Sequence, residues 1–278
     1  MQNKTLMLAI ACLTLYSAQA QDSTEHHPRF KLSLNYQSTL HYYGRTDSLK
    51  SAGFFPLAEC WFTKDLYLNA APVFVNNRAQ SLEYAGTLAT AGYQHISRKW
   101  ITNVYVTKPF YRSGSQLVQS ALKAQGGASF SFLNKILNLT AGADLKYSSR
   151  TDVGASAGID HIVRIQLPKK QALVINPSAY AYAGTQNFTT TYYQKQPSLL
   201  PFGGTTQSVN RNVERFTILS YEFSVPFVYV RGPFMALLTP SYVLPQNLVT
   251  IDGRPDLSER GEDMFYATAT VKWTFGRQ

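Results

Sequence analysis

Charge is scarce in this chain. Asp, Glu, Lys and Arg make up 15% of its 278 residues, against the ~25% usual for a soluble globular protein. What charge there is leans one way: 26 basic side chains face 16 acidic ones, a formal +10. Cysteine is almost absent, and two residues exclude both a disulfide scaffold and a four-cysteine zinc site. Beyond the extreme N-terminus no run of ~18 apolar residues exists, and a mean hydropathy of -0.17 agrees in excluding a bundle of membrane helices. Aromatic residues, by contrast, are plentiful, with 18 Tyr and 16 Phe. A chain so rich in aromatic and β-branched residues cannot stay solvated, which excludes intrinsic disorder.

The first twenty residues form an address. Lys4 supplies a positive start, residues 6–16 an apolar stretch, and Ala18-Gln19-Ala20 a small-x-small cleavage site. A lipoprotein reading at Cys12 is weaker, because Ala9 stands where a larger aliphatic is preferred. Export with cleavage after Ala20 is therefore expected, leaving 21–29 as a short periplasmic lead-in. Removal takes Lys4 and Cys12, so the mature charge falls from +10 to +9 and Cys60 remains alone.

Period-two alternation dominates the rest. Phe265, Ala267, Ala269, Val271, Trp273 and Phe275 fall on one face of a strand, and Tyr266, Thr268, Thr270, Lys272 and Thr274 on the other. Leu137, Leu139, Ala141, Ala143 and Leu145 alternate with Asn138, Thr140, Gly142, Asp144 and Lys146 in the same way. So do Val153–Ile165 and the odd positions from Leu219 to Tyr229 against Ser220, Glu222, Ser224 and Pro226. In a water-facing sandwich the polar face would carry many Lys and Glu. Here it is mostly Ser, Thr, Gly, Asn and Tyr, and the segments reach ~10 to 13 residues, the length a tilted membrane strand requires.

Short basic turns at 64–65, 97–99, 134–135, 168–171 and 231–233 alternate with longer polar loops near 44–53, 77–81, 111–122, 148–152, 184–212 and 244–263. Six long and five short connections join twelve strands, expected at 30–43, 54–63, 66–76, 82–96, 100–110, 123–132, 136–147, 153–166, 172–183, 213–229, 234–243 and 264–275. An even count with both termini on the short-turn side predicts an all-β, antiparallel up-and-down transmembrane barrel over 30–275, with periplasmic turns and external loops. Pro56, Pro72, Pro177, Pro226 and Pro240 predict bulges, since each lacks a ladder donor. Aromatic residues gather at two levels, as two bilayer interfaces require. Trp61, Trp100, Trp273, Phe132, Phe227, Tyr229 and Phe234 lie toward the turns, and Tyr42, Tyr43, Phe54, Phe55, Phe110, Tyr111, Tyr147 and Phe265 toward the loops.

Three segments carry a resemblance: Tyr42-Tyr43-Gly44-Arg45-Thr46-Asp47-Ser48-Leu49; Ala183-Gly184-Thr185-Gln186-Asn187-Phe188 with Tyr192-Tyr193; and Tyr221-Glu222-Phe223-Ser224-Val225-Pro226. They resemble a Bacteroidota family of outer-membrane β-barrels, porin-like and without an established activity, over most of the mature chain. The resemblance implies residence in a Gram-negative outer membrane, and it brings no catalytic residues.

Side chains that might signal chemistry read blandly. His161 has lipid-facing parity but sits near the 168–171 turn, at the periplasmic end, with no nearby nucleophile motif of the kind an outer-membrane hydrolase needs, so an interfacial structural His is favoured. His41 lies near the external mouth beside Asp47, where a lone mouth-lining His is favoured over an Asp/His hydrolase. His26-His27 precede the first strand without metal-ligand spacing. Asp252, Asp256, Glu259, Glu262 and Asp263, interleaved with Arg254 and Arg260, are read as solvated charge rather than a calcium loop. The basic turns are dispersed and suit headgroups rather than nucleic acid. The sequence therefore points to no catalytic, cofactor or metal site, and to no enzyme.

Twelve strands leave a lumen that is narrow or partly plugged. Lys31, Asp144, Lys146, Asp160, Arg164, Glu222 and Lys272 are the lumen-lining candidates; four of the seven are basic, which leans toward anions. The first reading is a narrow passive channel for small polar solutes. The second is a closed structural barrel that binds a partner through its external loops, with Phe188, Tyr192, Tyr193, Leu199, Leu200 and Phe202 of the 184–212 loop as either plug or contact surface. The expected partners are outer-membrane lipid, lipopolysaccharide and the barrel-assembly machinery.

Overall fold

A computed structural model describes residues 28–47, 49–79, 81–113, 115, 117–187, 215–249 and 259–276. The leader, most of the 184–212 loop, and Asp252, Arg254 and Asp256 lie outside the described residues.

Alternating sequence becomes twelve staves. They are β1 (Arg29–Gln37), β2 (Ala52–Trp61), β3 (Leu66–Asn76), β4 (Glu83–Ile96), β5 (Trp100–Tyr111), β6 (Ala124–Phe132) and β7 (Asn138–Tyr147). Next come β8 (Thr151–Asp160, continuing as Val163–Leu167), β9 (Gln171–Ile175, then Ser178–Gly184) and β10 (Thr217–Ser224, then Phe227–Arg231). β11 (Phe234–Pro245) and β12 (Met264–Phe275) complete the wall. Each stave is antiparallel to its sequence neighbours, and β12 returns to β1 with Phe30 opposite Phe275 and Gln37 opposite Thr268. The sheet is a closed transmembrane barrel, with an open edge at the Val163–Leu167 extension of β8, which has a partner on one side.

The alternation sorts side chains as a bilayer requires. Val106 and Phe265 are 61% and 66% exposed on the outer face, among a continuous apolar surface that includes Leu34, Leu139, Leu145, Leu238 and Val271. Inner positions carry hydroxyls that satisfy one another across staves. Examples are Thr90 with Thr107 at 2.9 Å, Ser131 with Thr140 at 2.8 Å and Ser178 with Ser224 at 2.8 Å.

Four expectations need correction. The first strand does not run to residue 43. It leaves the wall after Gln37, and the described residues of the 38–51 connection turn inward to form a ribbon, His41–Tyr42 paired with Arg45–Thr46. Of the five prolines expected at bulges, Pro72 lies beside a register shift and Pro177, Pro226 and Pro240 do not. At 161–162, 176–177 and 225–226 three neighbouring staves are interrupted side by side, yet the register continues unchanged across each gap. Proline carbonyls bridge the gaps, accepting His161 N–H (from Pro177, 3.1 Å), Asn176 N–H (Pro226, 3.0 Å) and Val225 N–H (Pro240, 3.1 Å). The register shifts fall at Val73/Phe74, next to Pro72, and at Tyr182/Ala183, away from any proline. The aromatic girdles are thinner than expected, because Trp61 and Tyr42 point into the barrel with Tyr43, Phe55 and Tyr111. Finally, Val163–Leu167 extends beyond the start of β7 and pairs on one side only, so Arg164 is exposed on a rim rather than set in the lumen wall.

Candidate functional site

One arginine makes the largest set of hydrogen bonds that hold the ribbon in the barrel mouth, beside a Gln119 Nε2–His41 carbonyl bond and the burial of Leu40. Arg45 is 2% exposed. Its Nε donates to Glu259 Oε2 at 3.0 Å, and Nη2 donates to Gln186 Oε1 at 2.6 Å and to the Gln246 carbonyl at 3.1 Å. Nη1 donates to the carbonyls of Tyr43 at 3.1 Å and Leu219 at 3.2 Å. One planar guanidinium thus ties the β1–β2 connection to β10 and to the connections that follow β9 and β11, using all five of its donors. Thr46 N–H to the Arg260 carbonyl, 2.8 Å, adds a backbone link. Glu259 is therefore a buried ion-pair partner, not the solvated charge expected of its loop, whereas Glu262 pairs at the surface with Lys50.

Local sequence explains the ribbon's shape. Tyr43 and Gly44 turn with φ of 55° and 77°. Gly44 is required there, since a Cβ would lie 2.9 Å from Pro245 Cβ. Asp47 Oδ1 accepts the N–H groups of Leu49 (2.9 Å) and Ser51 (3.1 Å), and His41 Nδ1 accepts Gly44 N–H (3.2 Å). His41 and Asp47 each serve the ribbon's own fold and do not meet.

The ribbon's rings rest on the inner wall. His41 packs edge-on against Tyr266 of β12 with centroids 4.3 Å apart, and Tyr43 lies 5.4 Å from the Tyr182 ring of β9. Lys146 of β7 sits 5.4 Å over the Tyr43 ring while pairing with Asp144. Gly154 makes room for that pair, because a Cβ there would meet Asp144 Oδ1 at 2.5 Å. Burial pushes the Tyr43 phenol up and the His41 imidazole down to about 4.

Of the other candidates, Glu222 accepts from Tyr266 Oη at 2.9 Å and Asp160 from Asn138 Nδ2 at 2.7 Å. Lys272 and Lys31 lie toward the turn end around a residue the sequence reading misses, Glu59. Lys272 Nζ donates to Glu59 Oε1 at 2.7 Å, Trp61 Nε1 to its other oxygen at 3.1 Å, and Lys31 Nζ lies 4.1 Å over the Trp61 ring. Asp152 is missed as well; it accepts from Thr185 Oγ1 at 2.6 Å and Asn187 N–H at 2.7 Å. Both acids lie in segments whose alternation is blurred, by aromatics in β2 and by the loop boundary before β8. With Glu59 and Asp152 included and Arg164 outside, the inner wall shows no basic excess among the described residues, which removes the basis for an anion preference. His161 Nδ1 meets the Ile136 carbonyl at 2.6 Å, bracing the neighbouring turn. Cys60 is a free thiol at an outward position opposite Phe30. Among the described residues no three His, Cys, Asp or Glu side chains assemble into a metal set.

No protein-family model matches the sequence, and no curated protein does so either. Among solved structures the chain is similar to a KdgM porin, with 8% identity, a TM-score of 0.48 and coverage of 88% of this chain and 99% of that one. It is similar also to a NanC porin (10%, 0.43, 88% and 98%) and to LpxR from Salmonella typhimurium (12%, 0.43, 88% and 100%). Likenesses at these scores carry no inference about what this chain does.

Proposed function

We propose that the chain is a narrow passive channel for small polar solutes in a bacterial outer membrane, with its short turns in the periplasm and its mouth constricted by the 38–51 ribbon. The observation that carries this reading is how the ribbon is held. It is fixed by side-chain hydrogen bonds from Arg45 and by ring contacts, with one apolar cluster at the mouth (Leu40 with Val73, Val75, Ala85 and Leu117), while the wall below carries hydroxyls and paired charges. A barrel built only for rigidity would gain more from apolar filling, whose burial yields ~25 cal/mol per Å². The proposal includes lipopolysaccharide around the loop end and insertion by the barrel-assembly machinery.

Planar-bilayer recording of the refolded protein, with and without Arg45→Ala, tests it. Removing the guanidinium takes a buried partner from Glu259 at a cost of ~3–5 kcal/mol, borne by the ribbon rather than by the wall. Small wild-type currents should rise severalfold in the variant while heat-modifiable gel mobility is unchanged. Silence from both folded proteins would favour the second reading, a closed barrel whose latched loops present a binding surface.

A further inference from the structure

We infer that the outer wall carries a binding site for one anionic glycerophospholipid, its headgroup at the 168–170 and 231–233 turns and an acyl chain laid across β12, β1 and β2. Two recesses adjoin there. The first, about 570 Å³, is lined by Lys169, Lys170 and Arg231 together with Tyr229, Phe234 and Trp273. The second, about 670 Å³, is apolar and runs between Leu34, Val271 and Phe275 over Pro56, Ala58, Ala70 and Pro72. Trp273 lines both.

The two recesses lie along one row of cross-strand partners. Arg231 stands opposite Phe234, Phe234 opposite Trp273, Trp273 opposite Leu32, Leu32 opposite Ala58 and Ala58 opposite Ala70. The row begins in a turn and ends mid-stave, so it climbs from the rim into the membrane-facing wall. Its five interstrand steps of ~4.8 Å span roughly 24 Å, the reach of a fatty acyl chain. Small outward residues at its far end (Ala58, Ala70) leave a trough bordered by Leu34, Val271 and Phe275.

Charge complementarity selects the occupant. Three cations converge at the aromatic end of an apolar trough, and among the described residues no carboxylate forms an ion pair with any of them. Lys169 and Lys170 both hold φ near +60° (59° and 55°), where glycine or asparagine is the usual choice. The turn thus presents two adjacent ammonium groups at a backbone position ill suited to lysine. A phosphate diester with no compensating amine fits that end, and a hydrocarbon chain the other. Basic residues next to a membrane surface attract acidic headgroups generally; here register ties them to a trough for the chain.

Native mass spectrometry of the refolded protein released from detergent tests the inference. It uses phosphatidylglycerol, phosphatidylcholine or glycerol 3-phosphate as the added probe. Wild type should retain one phosphatidylglycerol at least tenfold more than phosphatidylcholine. The Lys169→Gln/Lys170→Gln/Arg231→Gln variant should lose that preference, and Ala58→Leu/Ala70→Leu should reduce retention of phosphatidylglycerol at least threefold. Gel mobility confirms that each variant is folded. Equal retention of the two lipids, or unchanged retention in the triple variant, overturns the site. Glycerol 3-phosphate binding as well as the lipid, or no effect of the leucine pair, overturns the acyl trough. None of these readouts depends on conductance, so the lipid site and the channel reading fail separately.

Discussion

At the scale of single residues, His41 makes the ribbon sensitive to acid. Its Nδ1 accepts Gly44 N–H, so the ring must be unprotonated there, and burial against Tyr266 pushes its pKa down to about 4 from the ordinary 6.5. In a released ribbon the imidazole would titrate near 6.5. The seated form therefore holds its full advantage above pH 6.5 and loses it as pH falls toward 4, by at most ~3 kcal/mol. Conductance should rise on acidification across that window. His41→Gln, which keeps an acceptor but no titration, should flatten the profile, and identical profiles for the two proteins would sink the assignment. Arg45 belongs to the same scale and was not legible in the sequence. A lone arginine in a polar loop looks solvated until distant segments, such as those bearing Gln186, Leu219 and Glu259, close around it.

At the scale of elements, alternation reads staves well where nothing competes with it. β3 and β12 run over the residues expected, because one face is apolar throughout and turn residues bound both ends. The first stave fails for a physical reason: Leu40, Tyr42 and Tyr43 continue an apolar pattern, but their side chains find burial inside the mouth rather than against lipid. Alternation reports that a side chain seeks an apolar contact and not which one. Glu59 was missed in the same way, since Phe55, Leu57 and Trp61 make the inner face of β2 look as apolar as its outer one. The ribbon's independence from the wall can be measured. Gln37 and Gly53 are cross-strand partners, so a two-residue Asn-Gly turn in place of 38–52 can join β1 to β2. That variant should keep heat-modifiable mobility and lose the constriction, with currents at least as large as those of Arg45→Ala. Failure to fold with a normal terminal stave would show that the ribbon is needed for closure.

At the scale of the whole molecule, the closed wall sets one rule for substitutions and the balance of inner charge sets another. Arginine at Val271, outward and 51% exposed, should destabilise folding into vesicles by ~2–4 kcal/mol. At Thr268, inward on the same stave, it should cost little; equal losses in urea titrations would mean that β12 is turned the other way. The inner wall holds Glu59, Asp144, Asp152, Asp160 and Glu222 against Arg29, Lys31, Lys146 and Lys272, so wild type should show little anion preference at low salt. Lys272→Glu changes that balance twice over. It deletes a cation and strips Glu59 of its 2.7 Å partner, leaving two carboxylates facing each other near the turn end. The reversal potential should shift toward cations at low ionic strength and return toward zero at ~1 M salt, where the Debye length is ~3 Å. Exchanging the pair, Glu59→Lys with Lys272→Glu, restores both the charge count and the contact. It should recover wild-type selectivity and ~0.5–3 kcal/mol of coupling in stability. If the exchange behaves like Lys272→Glu alone, the two side chains do not act as a pair and the wall charge near the turn end is set by Lys31 and its neighbours instead.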